Sequence, residues 1–546
     1  MKKLKHILIV ISSLIALSQS ALAGQPEGSY DDLVKLFHEW RAFEQPPVLR
    51  GAPDYTAATQ ARRHAALAGF RQRLDAFDIR DWPVAQQVDW HLVQAEMNGM
   101  DFDMRVLQPW ARDPAFYTTV WTEESDTPAH EGPTHHGLVE LWTYRFPLDK
   151  AAESRLAAGL AIIPPLLEQA RGNLTGNAHD LWVAGIGMLR DQAQALQDLA
   201  GKTADAGPGL REAIGAARQA TDGFVTWLEA QSASKTGPSG IGKDDYSWML
   251  QNVYLVPMTW DEEVGLLQRE LYRALASLKL EEHHNRKLPP MVPIASAKEY
   301  RQRADAAVKR FTAFLRDEEV LPPYPYIEAA LRAHTGSFVP EASRTFFATV
   351  AHYEQLALWA HWYHWFDKGH MAFAPNPSPI RQGALLYNIW DNRSEGLATA
   401  FEEITMHAGL YEDQPRAREL VWIMLAQRAA RGLASLYAQA NMFDLQQARA
   451  FQVAWTPRGW MRADLDLVGF EQLLYLRQPG YGTSYVTGKY LIDRLLAVYG
   501  RQHGDDFRLA DFFGELDRVG VIPVSLVQWQ ITGDDSAVPE VVRQKP

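Results

Sequence analysis

Apolar residues recur along most of this chain at three- and four-residue spacing, and that period constrains the fold more than any other feature. Leu33, Phe37 and Trp40 mark one stripe, and Leu210, Ile214, Ala217 and Phe224 mark another, with polar residues between them. Similar spacing runs through 85–106, 150–172, 178–200, 259–281, 296–317, 342–367, 394–411, 414–440 and 484–500. Gln45-Pro46-Pro47, Gly207-Pro208, Leu288-Pro289-Pro290, Pro322-Pro323 and the prolines of 375–379 separate these blocks. Alternating, strand-like stretches are few and short. The expectation is an all-α protein: a large multi-helix body, in two lobes around a deep cleft, with at most a short β-hairpin or two.

Two segments are not ordinary connectors. Residues 107–147 lack a clean period and hold Pro, Asp, aromatics and several His, so a long ordered loop is expected there, near the mouth of the cleft. The Pro/Gly-rich stretch 232–243 divides an N-terminal helical half, 24–236, from a C-terminal half, 237–546.

Residues 1–23 read as a signal peptide. Lys2, Lys3 and Lys5 precede an apolar run from Ile7 to Leu17, and Ala21-Leu22-Ala23 offers a small-x-small cleavage site before Gly24. The expected location is periplasmic or secreted. The run is too short for a membrane anchor, and nothing later is long and apolar enough to span a bilayer, so no membrane association is expected after cleavage. The formal charge of −12 becomes −15 once the three leader lysines are gone. Without a basic patch such a chain repels phosphate backbones, which argues against nucleic-acid binding. There is no cysteine. Disulfides, thiolate metal sites, a Cys nucleophile and a lipidated N-terminal Cys are therefore excluded.

Any metal site must then be built from histidines and carboxylates, and these concentrate in one region. His352, Glu354, His361, His364, Asp367 and His370 are followed by Glu395 and Glu402. On a helix His361 and His364 share a face, and so do Glu395 and Glu402, two turns apart. His364 and His370 are six residues apart, about 240° around a helix, and can serve one ion only if the helix ends between them, with Gly369 the place for it. Trp359, Trp362, Trp365 and Phe366 interleave with these histidines, so satisfied core residues are the alternative.

From about Gly242 to the C-terminus, and more loosely upstream, the chain resembles the domain-of-unknown-function 885 family, bacterial and often exported all-helical proteins regarded as zinc metallopeptidase-like. The family's His-Glu-x-x-Pro-Gly-His motif aligns with His364-Trp365-Phe366-Asp367-Lys368-Gly369-His370. Its Glu-Gly-Trp-Ala-Leu-Tyr-x-Glu block aligns with Glu395-Gly396-Leu397-Ala398-Thr399-Ala400-Phe401-Glu402. Its Pro-Gly-Gln-Ala-x-x-Tyr-x-x-Gly block aligns with Pro479-Gly480-Tyr481-Gly482-Thr483-Ser484-Tyr485-Val486-Thr487-Gly488. The resemblance implies zinc held by His364, His370 and Glu395. It also implies an exported hydrolase acting on a peptide or small amide substrate.

The departures bear on mechanism. In a zinc hydrolase the Glu after the first His takes the proton from the activated water. Here that position is Trp365, which cannot accept one. The family's Pro is Lys368, a later His falls on Gln439, and the Gln of the third block is Tyr481. Asp367 and Glu402 are the candidate replacements for the base. The alternatives are an ion pair with Lys368 or Arg381 for Asp367, and a carboxylate holding a His in its tautomer for Glu402. Tyr485 is a candidate to polarise the scissile carbonyl, or a packing residue beside Gly488. His130-Glu131-Gly132-Pro133-Thr134-His135-His136 superficially repeats the motif. Pro128 and Pro133 prevent a regular helix there, so it reads as a polar loop at the cleft, with a His or Glu131 entering a rebuilt site as the other possibility. The second functional expectation is a catalytically inactive relative that binds a peptide or small molecule in the cleft.

Overall fold

In the computed structural model, which describes residues 28–543, the chain is all-α, with two pairs of two-residue strands as its only sheets among the described residues. The expected signal peptide at 1–23 lies outside the described residues. No described helix is long and apolar enough to cross a membrane.

The helices begin where local chemistry says they should. Ser29, Thr259 and Asp444 each close a reciprocal capping box with the residue three positions on, satisfying backbone N–H groups that have no helical partner. Two predicted helical stretches are interrupted. The 150–172 stretch is two helices, Lys150–Leu160 and Ile163–Asn173, parted just before Pro164-Pro165. The 342–367 stretch breaks at Glu354, whose backbone is extended (φ −152°, ψ 113°) and whose carboxylate caps the Leu356 N–H. A short helix, Gln355–Trp359, and a 3₁₀ turn, Ala360–Trp362, then lead into the helix Tyr363–Phe373.

The expected loop 107–147 is irregular but anchored. Within it Val120–Trp121 pairs with Val139–Glu140. That pairing is parallel, so the two small sheets comprise one hairpin (Val48–Leu49 with Ala52–Pro53) and one parallel bridge.

Three helices form the centre: Asp391–His407, Ala417–Gln439 and Tyr481–His503. The middle one is buried along nearly its whole length, and the largest apolar cluster around it includes residues from Leu33 to Val542. The first and third cross in backbone contact. A Cβ added at Gly488 would lie 2.1 Å from the Asn392 carbonyl oxygen and 2.7 Å from the Gly396 Cα, and one at Gly396 would lie 2.4 Å from the Gly488 Cα. Gly432 does the same on the other side, where a Cβ would lie 2.9 Å from the Gly482 carbonyl oxygen. Only glycine fits at such crossings.

This packing predicts opposite outcomes for two Gly→Ala changes. Gly488→Ala forces the central helices apart and lowers stability by about 3 kcal/mol. Gly215→Ala, in an exposed helical position with nothing within 4 Å of the new methyl, raises stability by about 0.5–1 kcal/mol. Thermal unfolding of the two variants beside the parent chain should move the midpoint in opposite directions.

Candidate metal centre

The break at Glu354 sets up the site. In a 3₁₀ turn residues i and i+3 eclipse one another, so His361 in the turn stands directly over His364 at the start of the next helix, their ring centres 5.1 Å apart. The Asp391–His407 helix brings Glu395 opposite. Glu395 Oε2 lies 3.1 Å from His364 Nε2 and 3.4 Å from His361 Nε2. One ligand atom from each of His361, His364 and Glu395 falls within 4.8 Å of the others.

The far side of His361 is also engaged. Its Nδ1 is 3.1 Å from Glu402 Oε1, two turns after Glu395. Glu402 in turn accepts two hydrogen bonds from Arg428, at 2.6 and 2.7 Å. Arg428 Nη2, which can only donate, is also 3.1 Å from His361 Nδ1, so in that hydrogen bond Nδ1 accepts beside the Glu402 carboxylate. Two imidazoles and one carboxylate are also the donor set of many zinc hydrolases. The donors present therefore fit a divalent cation.

The electrostatics follow from burial and proximity. Burial works against charge on Glu395, but the imidazoles of His364 and His361 outweigh it and hold the carboxyl well below the usual range. Burial likewise opposes charge on His364, and the Glu395 carboxylate outweighs it, raising the imidazole to about 9.

A third carboxyl reaches the cluster from the loop. Tyr481 O–H donates to Glu395 Oε1 at 2.5 Å, and Glu131 Oε1 contacts the same phenol oxygen. One hydroxyl proton cannot serve two carboxylates. Burial, with Asp126 and Glu395 adding repulsion, pushes Glu131 up to about 8, so at neutral pH it is the protonated partner that donates to the phenol oxygen. Tyr485 O–H lies 3.4 Å from the Tyr481 oxygen, its ring stacked against His361 and its ring centre 3.8 Å from the Arg431 guanidinium carbon.

Glu131 also lines a cavity of about 520 Å³ with Trp121, Asp126, Trp365 and Leu474. The loop that carries it is pinned internally. His135 is 1 % exposed; its Nδ1 accepts from the Gly137 N–H at 2.9 Å, so Nε2–H donates to Thr119 Oγ1 at 3.2 Å.

Several sequence-predicted residues stand elsewhere. The helix does not end at Gly369: it continues to Phe373, and His370 diverges from His364. His370 Nδ1 accepts from Tyr326 O–H at 3.0 Å. Gly369 instead admits the Tyr326 ring, 2.7 Å from where a Cβ would be. Asp367 is gripped by Arg393, with two hydrogen bonds of 3.0 Å, rather than by Lys368 or Arg381. Gln439 donates to the carbonyls of Tyr475 and Leu476. Trp365 stacks on His334 at 3.5 Å, with Lys368 Nζ 4.8 Å over its ring. His361 carried a sequence signal, its i, i+3 spacing to His364. The sequence offers Glu131 as a candidate entrant to the site, and its meeting with Tyr481 and Glu395 became visible only through tertiary structure.

Residues 50–337, just over half of the chain, match the model of a family described as bacterial protein of unknown function (DUF885). The match includes the Glu131 loop and stops short of His361. No curated protein matches the sequence. Among solved structures the chain is similar to a candidate lipoprotein of unknown function from Shewanella oneidensis, at 14% identity and a TM-score of 0.67, covering 91% of this chain and 97% of that one. It is also similar to a candidate lipoprotein from Colwellia psychrerythraea, at 12% identity and a TM-score of 0.63, covering 93% and 99%. These likenesses establish a shared fold.

The His135 geometry has a pH consequence. Burial lowers this imidazole to about 3, whereas in the unfolded chain it takes up a proton near 6.5. Its contribution to stability is complete above pH 6.5 and is lost as pH falls toward 3. Hydrogen exchange across residues 118–140, corrected for intrinsic rates, should accelerate on acidification from pH 7 to 4.5. His135→Gln should flatten that response.

Proposed function

The chain belongs to the DUF885 family of bacterial proteins, and we propose that it is an exported, zinc-dependent hydrolase of peptide or amide bonds. The observation that carries this reading is the convergence of His361 Nε2 and His364 Nε2 on Glu395 Oε2, with Glu402 behind His361. A divalent cation held there supplies Lewis acidity toward a carbonyl and makes bound water more acidic. The leader-like residues 1–23 support export, as does the likeness to two candidate lipoproteins.

The chain's own residues divide the remaining work. Glu402 and Arg428 together engage His361 at Nδ1, and Arg428 fixes the Glu402 carboxylate through two hydrogen bonds. Tyr485 presents an O–H donor beside the cluster for the carbonyl oxygen of a bound amide. Asp367 holds Arg393 and takes no part in proton transfer.

A second reading, a protein that binds a peptide or small molecule without cleaving it, has its own support. Trp365 occupies the family's base position, and both Asp367 and Glu402 are held by arginines in two-point contacts.

Zinc content and cleavage separate the two. The hydrolase binds about one zinc per chain, His364→Ala loses it, and Glu402→Gln weakens affinity about 10- to 100-fold. A mixed peptide library incubated with the zinc-loaded chain is then cut. Stoichiometric zinc without cleavage supports the binding protein, and a parent chain that takes up no zinc overturns the hydrolase.

A further inference from the structure

We propose that Glu131 is the proton carrier for amide hydrolysis at this site, standing in for the carboxylate that Trp365 replaces. The inference rests on the hydrolase reading above and is carried by geometry.

Four other nearby carboxyls are committed. Asp367 has both oxygens on Arg393, and Glu402 has both on Arg428. Asp391, 1 % exposed, receives the Gln478 side-chain amide. Glu395 faces the two imidazoles. Glu131 has no ion-pair partner among the described residues and differs from these four in position. One of its oxygens reaches the ligand cluster through Tyr481, and the side chain also lines the cavity beside Trp365.

The carboxyl is also held in place. The Gly132 N–H donates to Gln478 Oε1, and the Arg477 guanidinium donates to the Pro133 carbonyl at 3.1 Å. Gln478 and Arg477 immediately precede the helix that begins at Tyr481. The segment that positions the phenol therefore positions Glu131 as well, so their relative geometry is fixed before substrate arrives.

The step balances. In its ionised form, the minority species at neutral pH, Glu131 takes one proton from water as the water oxygen adds to the scissile carbonyl carbon, and the π pair moves onto the carbonyl oxygen. When that pair returns, the C–N bond breaks and Glu131 passes the proton to the leaving nitrogen. The products are a carboxylic acid and an amine, and Glu131 is regenerated.

The test compares the zinc-loaded parent chain with Glu131→Gln, Glu131→Asp and His364→Ala. It reads zinc stoichiometry, equilibrium binding of an uncleaved peptide, and hydrolysis of a peptide library across pH. Glu131→Gln should keep its zinc and bind peptide within about 3-fold of the parent, yet lose at least about 100-fold in kcat, together with the limb of the pH profile that reports this carboxyl. Glu131→Asp, which retains a carboxylate, should recover part of the rate. Parent-like kcat and pH profile in Glu131→Gln overturn the assignment and leave the hydrolase reading standing. Loss of zinc or of the folded state in Glu131→Gln, with Glu131→Asp equally impaired, makes Glu131 a structural residue and also overturns it. A parent chain that holds no zinc or cuts no peptide overturns the hydrolase reading and this inference with it.

Discussion

The contact between Gly396 and Gly488 is the constraint on which the site depends. Because neither residue has a side chain, the Asp391–His407 and Tyr481–His503 helices meet backbone to backbone. Glu395 is the neighbour of one of these glycines, and Tyr481 and Tyr485 lie two turns and one turn before the other. The crossing therefore sets the distance between the Glu395 carboxylate and the two phenols. Side chains at the crossing would separate the helices and break the 2.5 Å Tyr481–Glu395 hydrogen bond before they disturbed the periphery. Gly432 against Gly482 fixes the third helix by the same means, which brings Arg428 and Arg431 to the back of the cluster.

Those arginines organise the charge in the interior. Arg393, Arg428 and Arg431 are almost wholly buried, and each is paired with a carboxylate: Asp367, Glu402 and Glu471. A buried ion pair adds little net stability against an apolar substitute, but removing one partner strands the other charge. The consequence is positional: these carboxylates are held in place. Glu395 and Glu131 have no arginine. Glu395 is balanced by imidazoles, whose charge a metal ion can replace, and Glu131 by a shared proton. The pattern separates a rigid, compensated shell from a few groups whose charge state can change.

How much of this the sequence exposes depends on the range of the interaction. Helix class and most helical stretches follow from local period, and the ligand pair His361/His364 is local too. The break at Glu354 was hidden because the apolar period runs straight across it, and only the carboxylate capping Leu356 marks a new start. Gly369 illustrates the opposite error. Its helix-ending tendency is real in isolation, yet here it serves the close approach of Tyr326, and the helix continues. The resemblance pointed to His370 for the same reason, since a motif records spacing and not the path of the backbone. Glu131 and Glu395 are brought together by folding alone, and no periodicity reports such a pairing.

Lys368 and Trp365, both on the Tyr363–Phe373 helix, can be understood together. Lys368 reaches the Glu124 carboxylate and the Ser125 carbonyl. Trp365 lines the cavity that Glu131 also lines, and Lys368 covers its ring. Both side chains thus face the 118–140 loop. A proline at 368 would give up the tether to that loop, and a glutamate at 365 would put a further negative charge against a cavity already lined by Glu123, Glu124, Asp126 and Glu131. The helix that contributes His364 therefore also secures the loop that contributes Glu131. In this chain the helix that carries Trp365 and the loop that carries Glu131 are held together as one arrangement.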